Sequence, residues 1–308
     1  MTFLNLVGRS SSELSRRQLL QTIIAATAGS ALARAQAPPA VKLDSLGKNV
    51  SLLSGIGGNI AFLTSSDGLL MIDSGLPETN GPLMDNAKSA APKIAILINT
   101  HWHYDHTGGN TIVGKSGAKL IAHVNVKKRL SSKQTIAFFK RDFDALPAEG
   151  QPAETFEDKG KLTFAGEKLQ YTHMPPAHTD GDTVIHFQNA NVLHCGDLYF
   201  NGGYPFIDYS SGGSIEGMIS NSARLLKMVD GTTKIIPGHG PLSNKTELAE
   251  YHEVMSGVNE AVSKQIKEGK PVDQIIAAKP LAKWDAKWGT GFMKSDVLIS
   301  LLYQGKKG

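Results

Sequence analysis

The chain has 308 residues, 41% hydrophobic and 19% charged, enough for one large domain with a well-buried core. Its formal charge is +4, but the first 35 residues hold four arginines against one glutamate, and the 28 basic and 27 acidic residues that remain leave the body nearly neutral. That balance excludes the basic patch that nucleic-acid binding needs, and a single cysteine, Cys195, excludes any intrachain disulfide.

The N-terminal stretch SRRQLLQTIIAATAGSALARAQAPP places Arg16-Arg17 ahead of a modest apolar run ending in small residues. It resembles a twin-arginine export signal. The run is too short and too rich in Ala, Gly and Thr for a membrane span of ~20 residues, though an uncleaved anchor is the alternative. Ala33-Arg34-Ala35 fits a small-x-small cleavage site, which puts the mature start near Gln36. The expected organisation is a signal over 1–35, a linker over 36–50 and one domain over 51–308. The expected partner is the twin-arginine export machinery, and the expected location is periplasmic or extracellular.

From residue 51 onward strands and helices alternate. NIAFLTS (59–65) and GLLMIDSG (68–75) read as paired strands around Ser66-Asp67-Gly68. ETNGPLMDNAKSAAP reads as a helix stopped by Pro92, and KIAILINT (93–100) as a strand buried on both faces. AKLIAHVNV is a further strand, running into a helix near 124–132, and 134–160 carries so little pattern that it reads as a loop or flap. EKLQYTHM, DTVIHFQ and NVLHCGD are successive strands. Residues 214–229 form an amphipathic helix with Ile215, Met218, Ile219, Leu225 and Met228 on its buried stripe. TKIIPG is one more strand, and 245–268 and 291–304 are helices. Strand-rich halves with helices outside predict a layered αββα sandwich.

Chemistry concentrates at the predicted strand ends. THWHYDHTGGNT (100–111) carries His101, His103, Asp105 and His106. Alone, it is a histidine-rich surface loop. Three later segments change that reading: His178 in PPAHTDGD, Asp197 closing NVLHCGD and His239 in IIPGHGP. Imidazole and carboxylate suit zinc, manganese or iron. Five histidines and two carboxylates are too many for one four-coordinate ion and enough for two. His123, His173, His186, His194 and His252 fall inside strands or helices, off this pattern, and read as packed or surface residues.

The order His-x-His-x-Asp-His, later His, later Asp, later His resembles the metallo-β-lactamase-fold superfamily, over about residues 50–245. The resemblance implies a four-layer αββα sandwich with the site at one edge between two sheets. It implies that His101, His103 and His178 hold one divalent metal ion, that Asp105, His106 and His239 hold a second, and that Asp197 bridges them. Asp73 matches a supporting position common in the family, although a turn-forming role fits equally; Thr100 and Thr179 are further supporting candidates.

Two metal ions activate water without a nucleophilic Ser or Cys. The expected reaction is hydrolysis of an ester, lactone, thioester, amide-type or β-lactam bond in a small molecule, with a bridging hydroxide attacking and Asp105 catalytic in orienting it and moving its proton. Zinc is the expected metal, with manganese or iron as alternatives. Asp at 197 is similar to glyoxalase II and the lactonases rather than the authentic β-lactamases. Rival readings are a mononuclear iron persulfide dioxygenase, a phosphodiesterase or nuclease, and a noncatalytic binding module. Tyr199, Phe200, Tyr204, Phe206 and Tyr209, with Trp102 and Tyr104, are candidates for an apolar rim, with core packing the alternative for at least half of them.

Overall fold

The computed structural model describes residues 40–307. The expected signal, 1–35, lies outside the described residues. Strand β1 (Lys42–Gly47) pairs antiparallel with β2 (Val50–Ser54), so residues 42–47 of the segment expected to be a linker are instead the edge of a sheet. Strands β3 (Ile60–Ser65) and β4 (Gly68–Ile72) form the predicted hairpin. A short 3₁₀ turn leads into α1 (Asn80–Ala90), and β5 (Ile94–Ile98) returns parallel to β4. The metal-loop segment supplies α2 (Tyr104–Thr107) and α3 (Asn110–Lys115), followed by β6 (Lys119–His123) and α4 (Val124–Leu130).

Residues 134–160 are more ordered than their composition suggests. They hold the small hairpin β7 (Gln134–Ile136) and β8 (Arg141–Phe143), then β9 (Glu154–Phe156), which extends the first sheet beside β6. The first sheet has seven strands in the order β1-β2-β3-β4-β5-β6-β9. The second has five: β10 (Lys159–Phe164), β11 (Glu167–His173), β12 (Thr183–Phe187), β13 (Val192–His194) and β14 (Lys234–Ile236), in that order. Between β13 and β14 lies α5 (Ile215–Met228), capped by Ser214, whose hydroxyl accepts from Gly217 N. The chain ends in α6 (Lys245–Lys267), α7 (Val272–Ala277), α8 (Ala282–Trp288) and α9 (Ser295–Lys307).

Side-chain alternation builds the layers. Leu70 and Ile72 of β4 point between the sheets, where Leu52, Leu63, Ile98 and Ile121 join them against Leu169, Ile185, Phe187 and Ile236 of the second sheet. Leu69 and Met71 point the other way, onto Leu83 and Ala87 of α1 and Val113 of α3. On the far side Val184, Leu193 and Ile235 of the second sheet meet Ile215, Met218 and Leu225 of α5 and Leu248, Met255 and Val258 of α6. The result is helix, sheet, sheet, helix, the four-layer arrangement that the pattern predicted. Burying a Leu, Ile or Phe side chain contributes about 1.5–3 kcal/mol, so the inter-sheet layer is a main source of stability.

Candidate metal centre

Parallel pairing sets the site. Strands β4 and β5 run parallel and end side by side, so Asp73, just beyond β4, sits next to Thr100 and His101, just beyond β5. Strands β13 and β14 also run parallel, which brings Asp197 beside the His239 segment. His178 lies in the loop joining β11 to β12, at the same end. That loop is pinned: Arg129 donates twice to the Asp180 carboxylate at 2.7 Å, and Asn125 donates to the Asp180 carbonyl at 2.9 Å. Thr179 also acts here, its hydroxyl donating to Asp182, which accepts from the His178 and Thr179 amides as well. Burial pushes the Asp182 carboxyl up to about 7, against these hydrogen bonds.

All seven residues singled out from the sequence come together. They form two adjoining groups: His101, His103, His178 and Asp197, and Asp105, His106 and His239, with the ligand atoms of each group within 4.8 Å of one another. Asp197 touches both groups. Its Oδ2 lies 3.3 Å from His178 Nε2 and 3.4 Å from His239 Nε2, and its Oδ1 lies 3.0 Å from His106 Nε2. The Oδ2 atom of Asp105 lies 3.2 Å from His239 Nε2. Solvent reaches His239 and Asp105, whose side chains are 32% and 22% exposed, while the other five are almost fully buried.

Four imidazoles turn one nitrogen into the group and give the other to a neighbour. His101 Nδ1 donates to the Thr100 hydroxyl at 3.0 Å, and that hydroxyl donates to Asp73 Oδ2 at 2.7 Å. His106 Nδ1 donates to the same Asp73 Oδ2 at 2.8 Å. His178 Nδ1 donates to the Phe206 carbonyl at 2.8 Å, and His103 Nε2 to Asp208 at 3.1 Å. These partners fix each tautomer and aim the free nitrogen inward. Asp73 has φ of 65°, a left-handed conformation that Asp tolerates better than most residues. It is both the turn and the shared support that the sequence left undecided.

The donor set fits a divalent metal on an observation of its own. His101 Nε2 and Asp197 Oδ1 are buried and make no hydrogen bond, an arrangement that costs free energy without a ligand. The electrostatics agree. Burial, reinforced by His106, keeps His101 neutral and well below the usual histidine value. Burial also lowers His178, to about 4, despite Asp197. Burial works against charge on His106 and His239 too, but Asp197 and Asp105 outweigh it; His106 lies well above the usual value and His239 at about 9. Burial would raise Asp197, yet His239, His106, His178 and His101 hold it well below the carboxylate range.

Some features escaped the sequence. Asp208, buried and bonded by the Ser210 and Ser211 hydroxyls, supports His103; no spacing rule ties it to a histidine. Gly58 and Gly238 are sites of close approach: a Cβ on Gly58 would overlap the His106 ring, and one on Gly238 would overlap Asp197 Oδ1. Of the aromatic rim candidates, Tyr199 and Tyr204 are core, the latter bonded to Asp285 at 2.9 Å. Phe200 stacks on His239 with centroids 5.1 Å apart, and Phe206 lies 5.9 Å from His103 and 6.1 Å from His178. Trp102 and Tyr104 line a separate cavity of about 270 Å³ with Arg129, Phe143 and Leu146. The off-pattern histidines have structural partners: His194 donates to the Asn59 carbonyl at 3.0 Å, and His123 stacks on His173 at 3.7 Å.

The sequence profile of the metallo-beta-lactamase superfamily matches residues 53–240. The chain belongs to that superfamily. It is 26% identical over 211 residues to an acyl-coenzyme A thioesterase from Bos taurus, covering 60% of this chain and 74% of that one. It is 29% identical over 170 residues to a hydroxyacylglutathione hydrolase from Rhodospirillum rubrum, covering 55% and 56%. The stereoselective inverting sec-alkylsulfatase Pisa1 from Pseudomonas sp. has a similar fold, with a TM-score of 0.63 at 16% identity over 86% of this chain and 50% of that one. The protein is accordingly a metallo-hydrolase of this superfamily.

Proposed function

We propose that the protein is a dinuclear metallo-hydrolase, zinc being the expected metal, that cleaves a thioester or ester bond in a small acyl-bearing molecule. The placement of Asp197 supports this reading: one carboxylate lies within 3.4 Å of histidine nitrogens from both groups, where it would serve two ions. His101, His103 and His178 would hold one ion, Asp105, His106 and His239 the other. The ions, when bound, bring the pKa of water toward ~7 and polarise the carbonyl of the substrate.

The remaining chemistry falls to the chain. Asp105 is a solvent-reached carboxylate in the group, held ionised by His106 and His239 against the effect of burial. It orients the attacking water, takes its proton as oxygen bonds to the carbonyl carbon, and passes that proton to the leaving sulfur or oxygen as its bond to carbon breaks. The buried histidines hold their geometry through Asp73, Thr100 and Asp208, so little reorganisation accompanies attack. One relative named as an acyl-coenzyme A thioesterase and another named as a hydroxyacylglutathione hydrolase support an acyl bond. The complete second group, Asp105, His106 and His239, favours this reading over a single-iron dioxygenase.

Export through the twin-arginine route is part of the proposal, supported by Arg16-Arg17 and the apolar run behind them. A folded, metal-bearing cargo suits that route. Replacing both arginines by lysine should strand the protein in the cytoplasm; unimpeded export would refute this part.

The deciding experiment is metal content with turnover. Protein purified without added metal should carry about two zinc ions and hydrolyse acyl thioesters, and Asp197→Asn should lower both. One iron per chain with sulfur-dependent oxygen consumption would overturn the hydrolase reading.

A further inference from the structure

Two large apolar side chains lie open to solvent beside the metal centre: Phe292, 77% exposed, and Phe139, 39% exposed. They come from distant parts of the chain. Phe139 sits in the turn of the β7–β8 hairpin, and Phe292 in the segment joining α8 to α9. Their ring centroids are 5.7 Å apart. Phe139 in turn lies 4.8 Å from Phe206, the ring set against His103 and His178. An unbroken row of rings thus leads from two of the buried imidazoles to the surface.

Each ring is held in place from behind. Tyr204 pairs with Met293 in an isolated bridge, and its amide donates to the Trp288 carbonyl at 3.0 Å. That fastens the Phe292 segment to the stretch carrying Phe206. The hairpin is fastened to the same neighbourhood, where the Ala137 amide donates to Ser210 Oγ at 3.2 Å. Phe292 projects outward, and Phe139 is partly exposed where it packs on Phe206. Exposed apolar patches contiguous with a polar site mark ligand grooves.

We propose that Phe206, Phe139 and Phe292 form the acyl-chain subsite of this enzyme, with Phe139 and Phe292 as its specificity-determining residues. The occupant is a linear saturated acyl chain whose carbonyl end lies at the metal centre. Continuity with His103 and His178 selects a substrate chain over a protein partner, because the row begins at residues of the metal centre. Two ring-to-ring steps of 4.8 and 5.7 Å suit a chain of medium length rather than an acetyl group. The inference rests on the hydrolase reading for the identity of the reacting end, but its test does not depend on turnover.

Binding of straight-chain carboxylates, acetate to decanoate, is measured by calorimetry on the zinc-loaded protein and on Phe139→Ala, Phe292→Ala and the double variant. In the unaltered protein, affinity should rise up to about fourfold per methylene until the chain spans the row. The double variant should bind decanoate at least tenfold more weakly and acetate unchanged, with zinc content and melting temperature preserved. An equal loss for acetate and decanoate, or no dependence on chain length in the unaltered protein, overturns the subsite. So does a dimer that Phe292→Ala dissociates with the chain-length series intact, since the face is then a contact between copies. If the chain-length series holds but no acyl ester or thioester is cleaved, the subsite stands and the hydrolase reading falls.

Discussion

Asp73 has an influence larger than its size because two metal-facing imidazoles depend on it. It accepts from His106 directly and from His101 through the Thr100 hydroxyl, so one side chain supports both groups. Removing a support of this kind typically lowers metal affinity 10–100-fold. Asp73→Ala should therefore weaken both zinc sites in a chelator competition, whereas Thr100→Val should weaken chiefly the His101 side. Equal zinc affinity in Asp73→Ala and the parent protein would refute the shared support. Proton balance is also set at this scale. After chelator treatment at pH 7.5, His106 and His239 keep protons, their pKa values being raised by Asp197 and Asp105. Zinc competes for the same nitrogens, so loading should release about two protons. Apparent affinity should then fall as pH drops and rise as pH climbs through the raised values of His239, at about 9, and His106. Calorimetry in buffers of different ionisation enthalpy counts the protons, and a count of zero would contradict the assignment.

Strands end at the site and loops carry it, and this division decided what could be read from the sequence. The run KIAILI was legible as β5 because an uninterrupted apolar stretch followed by polar residues has few other meanings, and the ligand loop begins where it stops. The hairpin at 134–143 was not legible: its strands are three residues each, partly polar, and are held by Ser210, which is remote in sequence. Helices α7 and α8 were missed for a similar reason, being six and seven residues long with one buried side chain each. All seven candidate ligands were visible because they share residue types and because their order along the chain resembles that of the superfamily. Asp208 was invisible because only tertiary contact relates it to His103. Gly58 shows how tightly the β2–β3 loop is fitted. Gly58→Ala should push the His106 ring from its place, reduce zinc bound by the Asp105–His106–His239 group and cost activity at least tenfold, while secondary structure by circular dichroism stays unchanged. Full activity in that variant would show that the loop yields.

The two sheets meet twice, once through the apolar layer and once through the metal centre. Leu70, Ile72 and Ile98 face Ile185, Phe187 and Ile236 across the interior, while Asn59 ties the edge by donating to the Pro237 and Gly240 carbonyls at 2.9 and 2.8 Å. His101, His103, Asp105 and His106 follow the first sheet, and His178, Asp197 and His239 belong to the second. Metal held by donors from both halves would therefore stabilise their association. At a thousandfold excess over its dissociation constant a ligand stabilises by about 4 kcal/mol, which corresponds to a melting shift of roughly 8–16 °C in a domain of this size. Chelation should lower the melting temperature by that order, and Asp197→Asn should be insensitive to chelator. An unchanged melting temperature would mean that the apolar layer alone holds the sheets.

The ligand set is divided in time as well as in space. A ribosome adding ~5–20 residues per second needs roughly 7 to 27 s to travel from His106 to His239. Throughout that interval the nascent chain carries the HWHYDH loop without its full set of counterparts, and a metal ion meeting it finds an incomplete set of donors. Only when β14 has been made and laid beside β13 does His239 arrive next to Asp197. A complete donor set is therefore one of the last features of this protein to form, because it waits for the second sheet.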